Sequence, residues 1–563
     1  MTVQIDFSQY NRYDELVQHL RNLNEAYPGL SRLYSIGQSY EGRELWMMEL
    51  TNRETGAADD KPGYYIDGNI QAGEVTGSVA ALYSIWYLLT NYGKDEMVTR
   101  LLNTTSFYVL PRVSPDGAEK YLTTPYFLRS SVRPYPFEEE QDGLYPEDVD
   151  GNGQILQMRV PDEDGEWKVS AKDSRLMIPR LPHEYGGQYY RLYQEGLIRN
   201  FDGVEIKAAP PKWGLDMNRN WPAEWQPQTK VPGSGPFPLS EPETRAIAEF
   251  LLAHKNIMGG ESFHTQTGIH LRSSGFRSDD KMARKDLLAF TAIGKLGEEL
   301  TGYPAVSVFD GFAYEKGKPL YGSFLDWCYE HLGIMMWSTE LWDLRVRCGR
   351  ERVNFHVPLK EQSYEEDGLA MLSFIDRELA GEGFVNWYDF DHPQLGKVQL
   401  GGWRMKDLLQ NAPPRFLKAE AHKNAMFTLH HAAAAPRIEV SKATAEHLGD
   451  GVFKVEVIVK NKGYLPTNIT EMAIQNKTAK PVTVELELPA GAELVLGKVR
   501  EELGHIEGRI VPPAGFYPGN ASNQKEKRVE WIIRAPQGGN LGLKAISEKA
   551  GKQSLALPLK VEG

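Results

Sequence analysis

Two cysteines, Cys328 and Cys348, are all the thiols in a chain of 563 residues. That scarcity excludes a disulfide framework and a thiolate-rich zinc site, so two free buried thiols are expected. Long apolar runs are missing as well. The longest, VAALYSIWYLL at 79–89, is too short to span a membrane and reads as a buried helix. Positive charge is in deficit: 63 Lys and Arg against 76 Asp and Glu give a formal net charge of -13. Phosphate binding wants clustered Lys and Arg, so neither nucleic acid nor a membrane surface is expected as a partner. The first residues, MTVQIDFSQYNRYDE, lack the basic start and apolar run of a secretory signal. The chain as given is therefore expected in the cytoplasm, or outside the cell if a leader has been removed.

What is present is ordinary in bulk and unusual in detail. Hydrophobic residues at 41% and charged residues at 25% fit a globular protein. The length exceeds what one core normally supports, which implies two or more domains. Aromatic residues reach 11%, with 12 Trp and 27 Tyr, enough for a large core and for clefts that grip peptides or sugars.

The patterning along the chain alternates. Residues 13–27 have helical apolar spacing and stop at Pro28-Gly29. LSRLYSIG, ELWMMELT, YYIDG and SFYVLPRV read as strands, with a helix from about Val75 between the last two. After position 235, Ser240 and Glu243 have capping-box spacing at the head of a helix, and MGGESFH, IMMWSTELWD and YEEDGLAMLSFIDREL continue the alternation. The class is α/β, a layered, mainly parallel mixed sheet flanked by helices over 1–430. Residues from about 125 to 235 are rich in Pro, Gly and aromatics with little periodicity, and read as long insertions around a site. Past HHAAAAPRIEV the pattern switches to period-2 alternation with regular turns, which predicts an accessory all-β sandwich over 435–563.

In such sheets ligands collect at the loops that follow the carboxyl ends of strands. There, DGNIQAGEVTGS puts Gln71 and Glu74 three apart, a spacing that brings two side chains to one metal ion. An imidazole at the first position would be the stronger donor, because an amide oxygen is neutral and weakly basic. His264 in ESFHTQTG follows a second strand-like run. An isolated His after a strand is more often structural, and an isolated Arg is as readily a surface ion pair, so no one of these residues decides the matter.

Taken in chain order over residues 8–380, IGQSYEGRELW, DGNIQAGEVTGS, SPDG, DMNRNWP, ESFH and STELWD resemble the zinc carboxypeptidase family, the carboxypeptidase A-like metallopeptidases. The resemblance implies a hydrolase that removes C-terminal residues from peptides with zinc-activated water. It implies metal ligands at Gln71 (where the family has His), Glu74 and His264, and a general base at Glu340. It implies a carboxylate clamp at Asn218 and Arg219, and an oxyanion-stabilising Arg129, with Arg133 its rival. Leu325 falls at the floor of the side-chain pocket, where it favours apolar or aromatic C-terminal residues. The family's mobile tyrosine matches Tyr314 or Tyr321, and Gly73 stands where many members carry an arginine. The implied partner is a peptide with a free C-terminal carboxylate.

Two questions stay open at this level. Gln71 fits a peptidase whose metal site is impaired, and it also fits a protein that grips peptide C-termini without cutting them. In EDVDGNGQILQ, Asp148, Asp150 and Asn152 alternate as in a calcium loop, but Arg159 stands where the twelfth-position acid should be, so calcium is the lesser expectation beside a solvated turn.

Overall fold

The computed structural model describes residues 3–353, 361–510 and 524–561. Its central sheet contains β1 (Ser31–Gln38), β2 (Glu44–Leu50), β3 (Gly63–Gly68), β4 (Ser106–Leu110), β5 (Ile257–Thr265), β6 (Ile269–Arg272), β7 (Ala305–Ser307) and β8 (Met335–Leu341). They lie side by side in the order β1-β2-β4-β3-β5-β8-β6-β7. The middle of the sheet is parallel (β4 with β3, β3 with β5, β5 with β8), while β1–β2, β2–β4 and β8–β6 run antiparallel. The expected mixed, mainly parallel sheet is thus observed.

Side-chain alternation decides which face each residue serves. Along β3, Tyr64 and Ile66 pack with Val79, Leu82, Leu417 and Ala421 from helices Val75–Asn91 and Pro414–Ala432. Tyr65, between them, points the other way into a second core with Ile247, Phe250 and Leu325 from helices Pro242–Ala253 and Phe324–Leu332. Every position of β3 and β5 is buried, as covering both faces requires.

Helix Val75–Asn91 starts hard against the sheet because two glycines permit it. A Cβ on Gly68 would lie 2.4 Å from the Gly77 carbonyl oxygen, and one on Gly77 would lie 2.4 Å from the Phe263 carbonyl oxygen. Both obstacles are backbone, which cannot swing aside. Gly77→Ala is therefore expected to destabilise the protein by about 3 kcal/mol or more and to displace the preceding loop. Chemical denaturation read against wild type checks this, and an unchanged midpoint would show the helix free to slide.

Three local expectations are corrected. Ser240 and Glu243 do not form a capping box: helix Pro242–Ala253 is preceded by Glu241 without a side-chain cap, the Ser240 hydroxyl donates to Glu241 Oε1 at 2.8 Å, and Glu243 Oε1 accepts from the Tyr40 N–H. The pair had better-placed partners across the fold. The stretch 125–235 is not all loop. Strands Gln157–Pro161, Trp167–Val169, Met177–Pro179 and Tyr190–Gln194 join Phe384–His392 and Gly396–Trp403 in a six-stranded sheet. Pieces of three to five residues are too short to print an alternation. Cys328 and Cys348 are both free, as expected, but only Cys328 is buried, and Cys348 is half-buried.

From Ile438 onward two four-stranded antiparallel sheets face each other. Phe453, Val455, Val457 and Val459 turn inward at every second position of Val452–Asn461, against Trp531, Val484 and Leu543. This is the expected sandwich. It meets the rest of the chain through the buried Lys549, whose Nζ donates to the carbonyls of Lys255 and Ile257, and through Thr470, whose hydroxyl donates to the Gly333 carbonyl. Ile257 opens β5 and Gly333 just precedes β8, whereas His264 lies seven residues further along β5, about 23 Å at the usual strand rise. The sandwich therefore docks at the sheet end opposite the one that carries the motif residues. Among the described residues, no helix is long and apolar enough to cross a membrane.

Candidate active site

β3 ends at Gly68, and the loop that follows is shaped by Asn69. This residue takes φ 68°, a left-handed conformation that Asn tolerates, and its buried side-chain amide donates to the carbonyls of Gln71 and Ala72. The Ala72 N–H donates to the Arg129 carbonyl at 2.8 Å, which stitches the loop to the segment carrying that arginine. β5 then delivers His264, and the parallel register with β8 sets His264 directly beside Glu340. Residues separated in sequence by nearly the whole sheet thus converge at one end of it.

His264 Nδ1 lies 3.1 Å from Gln71 Oε1 and 3.0 Å from Glu74 Oε2. Its other ring nitrogen, Nε2, faces the Ser262 hydroxyl at 3.2 Å, and that hydroxyl donates to Asp67 Oδ1 at 2.6 Å. Because Ser262 spends its proton on Asp67, it accepts from His264 Nε2–H, which leaves the Nδ1 lone pair of a neutral ring aimed at the two oxygens. Two oxygens thus lie about one hydrogen-bond length from the same ring nitrogen. Ligands about 2.0–2.2 Å from a zinc ion sit roughly 3.3 Å apart in a tetrahedron, close to the separations seen, so the residues present fit such an ion. Without a metal the site carries strong internal fields. Burial alone would lower the His264 pKa, and the Glu74 carboxylate overcomes it and raises it.

Asp216 is the organising acid behind this trio. Its two oxygens accept from Gln71 Nε2 at 3.1 and 3.2 Å, from Arg129 Nε at 2.7 Å and from the Asn218 N–H at 2.8 Å. Burial would push its carboxyl up, but the Arg129 and Arg219 charges win and hold it down at about 2. Glu340 is in the opposite condition. Burial and the nearby Glu74 charge raise it well above the usual carboxylate range, against the pull of His264, Arg129 and Arg219, and its buried Oε2 has no hydrogen-bond partner among the described residues.

A cavity of about 420 Å³ opens over these groups, and Gln71, Glu74, His264, Glu340, Arg129, Asn218 and Arg219 all reach its wall. Asn218 is pinned by accepting the Phe324 N–H at 2.9 Å, and Arg219 Nη1 donates to the Asn218 carbonyl. Leu325 lines the cavity together with Leu271, Val308 and Leu320. Of the paired alternatives from sequence, Arg129 faces the cavity while Arg133 is tied to the buried Glu241. Tyr314 lies on the wall. Tyr321 is not part of it, and its ring stacks near Phe276 instead. At Gly73 there is no room for an arginine: a Cβ would lie 2.6 Å from Gln410 Nε2 and 2.9 Å from the Tyr121 ring. Gln410, with Met405 and Leu409, closes that side of the cavity.

Sequence reasoning missed Asp216, which stands two residues before Asn218 in the same motif and could have been noticed there. Nothing local marked Met405, Leu409 or Gln410, which come from far along the chain. In the loop read as a lesser calcium candidate, Asp148 and Asp150 gather with Glu195, their nearest carboxylate oxygens within 4.8 Å of one another, and the Asn152 side-chain amide donates to Asp150 Oδ2. Those acids are already occupied by the loop itself: Asp148 accepts from the N–H groups of Gly151, Asn152 and Gly153, Asp150 from that of Asn152, and Glu195 from those of Val149 and Leu156. A turn held together by its own carboxylates accounts for them.

A family model described as zinc carboxypeptidase matches residues 16–360, and one described as a domain of unknown function matches 437–558. Carboxypeptidase A6 of Mus musculus is 24% identical over 341 residues, 58% of each protein. Carboxypeptidase D of Drosophila melanogaster is 33% identical over 111 residues, 20% of this chain and 8% of that one, so the chain spans a small part of that relative's length. Among solved structures, thrombin activatable fibrinolysis inhibitor aligns at 19% identity and a TM-score of 0.39, covering 67% of this chain and 76% of that one. Carboxypeptidase A from Helicoverpa armigera aligns at 14% and 0.40, covering 68% and 75%. The matched family stretch is more than half of the chain and includes the loop of Gln71 and Glu74, Asn218, Arg219, His264 and Glu340, and the chain belongs to the zinc carboxypeptidase family.

Proposed function

We propose that this protein is a metallocarboxypeptidase that releases single C-terminal residues from peptides. The observation that carries the reading is Glu340, a half-buried acid whose Oε2 is buried and unpartnered among the described residues, set in register beside His264. A protein that merely grips peptide ends has no use for such a group, and the cost of keeping it there unpaired is considerable. An ion held by Gln71, Glu74 and His264 would polarise the scissile carbonyl and acidify a water molecule beside it. Glu340 takes a proton from the attacking water and passes it to the leaving amine. Arg129, fixed through Nε on Asp216, turns the rest of its guanidinium toward the charge that develops on the carbonyl oxygen. Asn218 and Arg219 bind the free carboxylate, for which a guanidinium fork is well shaped. Tyr314 covers the bound end. The amide of Gln71 donates to a metal less strongly than an imidazole, so affinity for zinc is reduced relative to a His at that position. Residues 435–563 act as an accessory unit outside the chemistry.

Leu325, Leu271, Val308 and Leu320 line the side-chain pocket, and the one carboxylate beside them, Asp326, is already taken up by the Gly275 N–H and the Ser323 hydroxyl. With metal restored, peptides ending in Leu or Phe are expected to be trimmed with kcat/KM at least about 100-fold above the same peptides ending in Lys, since an unpaired ammonium in such a pocket costs several kcal/mol. A panel varied at the last residue alone, read by mass spectrometry, tests both statements. Release of no residue from any peptide would end the peptidase reading, and equal rates for Leu and Lys would end the pocket assignment.

A further inference from the structure

The Gln71 side chain has a direction that composition could not give. Its Nε2 sits between both oxygens of Asp216, at 3.1 and 3.2 Å, and both residues are buried. Asp216 is itself anchored by Arg129 Nε at 2.7 Å and by the Asn218 N–H at 2.8 Å, so it cannot turn away. Reversing the amide would press a carbonyl oxygen against a carboxylate and turn an N–H group toward the site. The carbonyl oxygen must therefore point inward, where it lies 3.1 Å from His264 Nδ1.

We propose that Gln71 is a true metal ligand, locked oxygen-inward by Asp216, and that the resulting oxygen, oxygen, nitrogen donor set shifts the site toward manganese(II) relative to zinc(II). This rests on the metal site described under the proposed function, and goes beyond it in naming the ion class that the chain selects. The physics has two parts. An amide that donates to a carboxylate is polarised, and its carbonyl oxygen becomes a better donor, as a carboxylate behind a ligating imidazole improves that ligand. Second, imidazole suits zinc, while carbonyl and carboxylate oxygens suit harder ions such as manganese, so exchanging one nitrogen donor for an oxygen narrows the gap between them. Zinc can still bind more tightly in absolute terms. What changes is the ratio.

The test uses the full chain, stripped with a chelator, and calorimetric titration with zinc chloride and manganese chloride. Wild type is compared with Gln71→His and Gln71→Ala, whose folding is checked by circular dichroism. Gln71→His is expected to raise the zinc-to-manganese affinity ratio at least about tenfold, and Gln71→Ala to weaken both ions at least about tenfold. An unchanged ratio in Gln71→His, unchanged affinities in Gln71→Ala, or no binding of either ion by wild type would overturn the proposal. If Gln71→Ala does not fold, the ratio in Gln71→His decides alone. Peptide assays on the same samples separate the two readings: a shifted ratio without any hydrolysis sinks the peptidase and leaves the ligand assignment standing, while hydrolysis with an unshifted ratio does the reverse.

Discussion

Replacing Glu340 with Gln is expected to lower kcat by about 10²–10⁴-fold, the usual contribution of a positioned acid–base group. KM and metal content should change little. Gln keeps the volume and most of the hydrogen-bonding capacity of Glu but cannot carry a proton between the attacking water and the departing amine. The position makes this a clean test, because Glu340 is half-buried, shares no hydrogen bond through its buried Oε2 with any described residue, and sits in the strand register next to His264 rather than among the atoms that converge on His264 Nδ1. Steady-state kinetics on a metal-loaded sample, with ion content measured in parallel, gives the answer. A kcat close to that of wild type would remove Glu340 from proton transfer and return the protein to the status of a peptide-end binder.

The second large effect concerns Arg219. Its removal, as Arg219→Ala, should cost about 2–4 kcal/mol in binding a carboxylate, the order seen when one partner of a buried, hydrogen-bonded charge pair is truncated. That corresponds to about 30- to 900-fold in kcat/KM. The loss should be confined to peptides with a free C-terminus. Their C-terminally amidated counterparts, poor substrates at the outset, should hardly change, so the acid-to-amide preference collapses. Parallel assays of one sequence in both forms measure it. A uniform loss on acid and amide alike would mean that Arg219 supports the fold of the cavity and does not read the carboxylate. Asn218 makes that alternative worth testing, since it holds the Phe324 N–H as well as facing the cavity.

How much of this could be read in the chain differs from one residue to the next. β3 and β5 were legible because short runs of apolar and small residues precede a turn, and their ends, at Gly68 and Thr265, mark where a ligand sits in such sheets. The C-terminal strands were legible for a different reason, since one-sided burial prints as alternation, as in Val452–Asn461. The strands between 157 and 194 were not, because each has only three to five residues and the sheet is completed by Gly396–Trp403, far along the chain, pairing with Gln157–Pro161. Ser240 and Glu243 misled for a related reason: local spacing fits a cap, but Ser240 bonds instead to its neighbour Glu241 and to Asn220, and Glu243 to the distant Tyr40. Arg129 and Arg133 are four residues apart and chemically identical, so nothing but their surroundings could separate them, and the same holds for Tyr314 and Tyr321.

The sequence by itself determined the α/β class, the switch to an all-β C-terminal region, and the residue types available for chemistry: an acid, an imidazole and an amide at strand ends, with arginines to meet a carboxylate. These follow from periodicity and from which side chains can donate, accept or carry charge, properties that a residue keeps wherever it lies. Tertiary structure alone decided that Gln71 presents its oxygen and not its nitrogen, that Asp216 holds it there, and that Gln410 fills the space above Gly73. Those outcomes depend on directions and distances between groups up to hundreds of residues apart, and a side chain acquires a direction when packing leaves it no other.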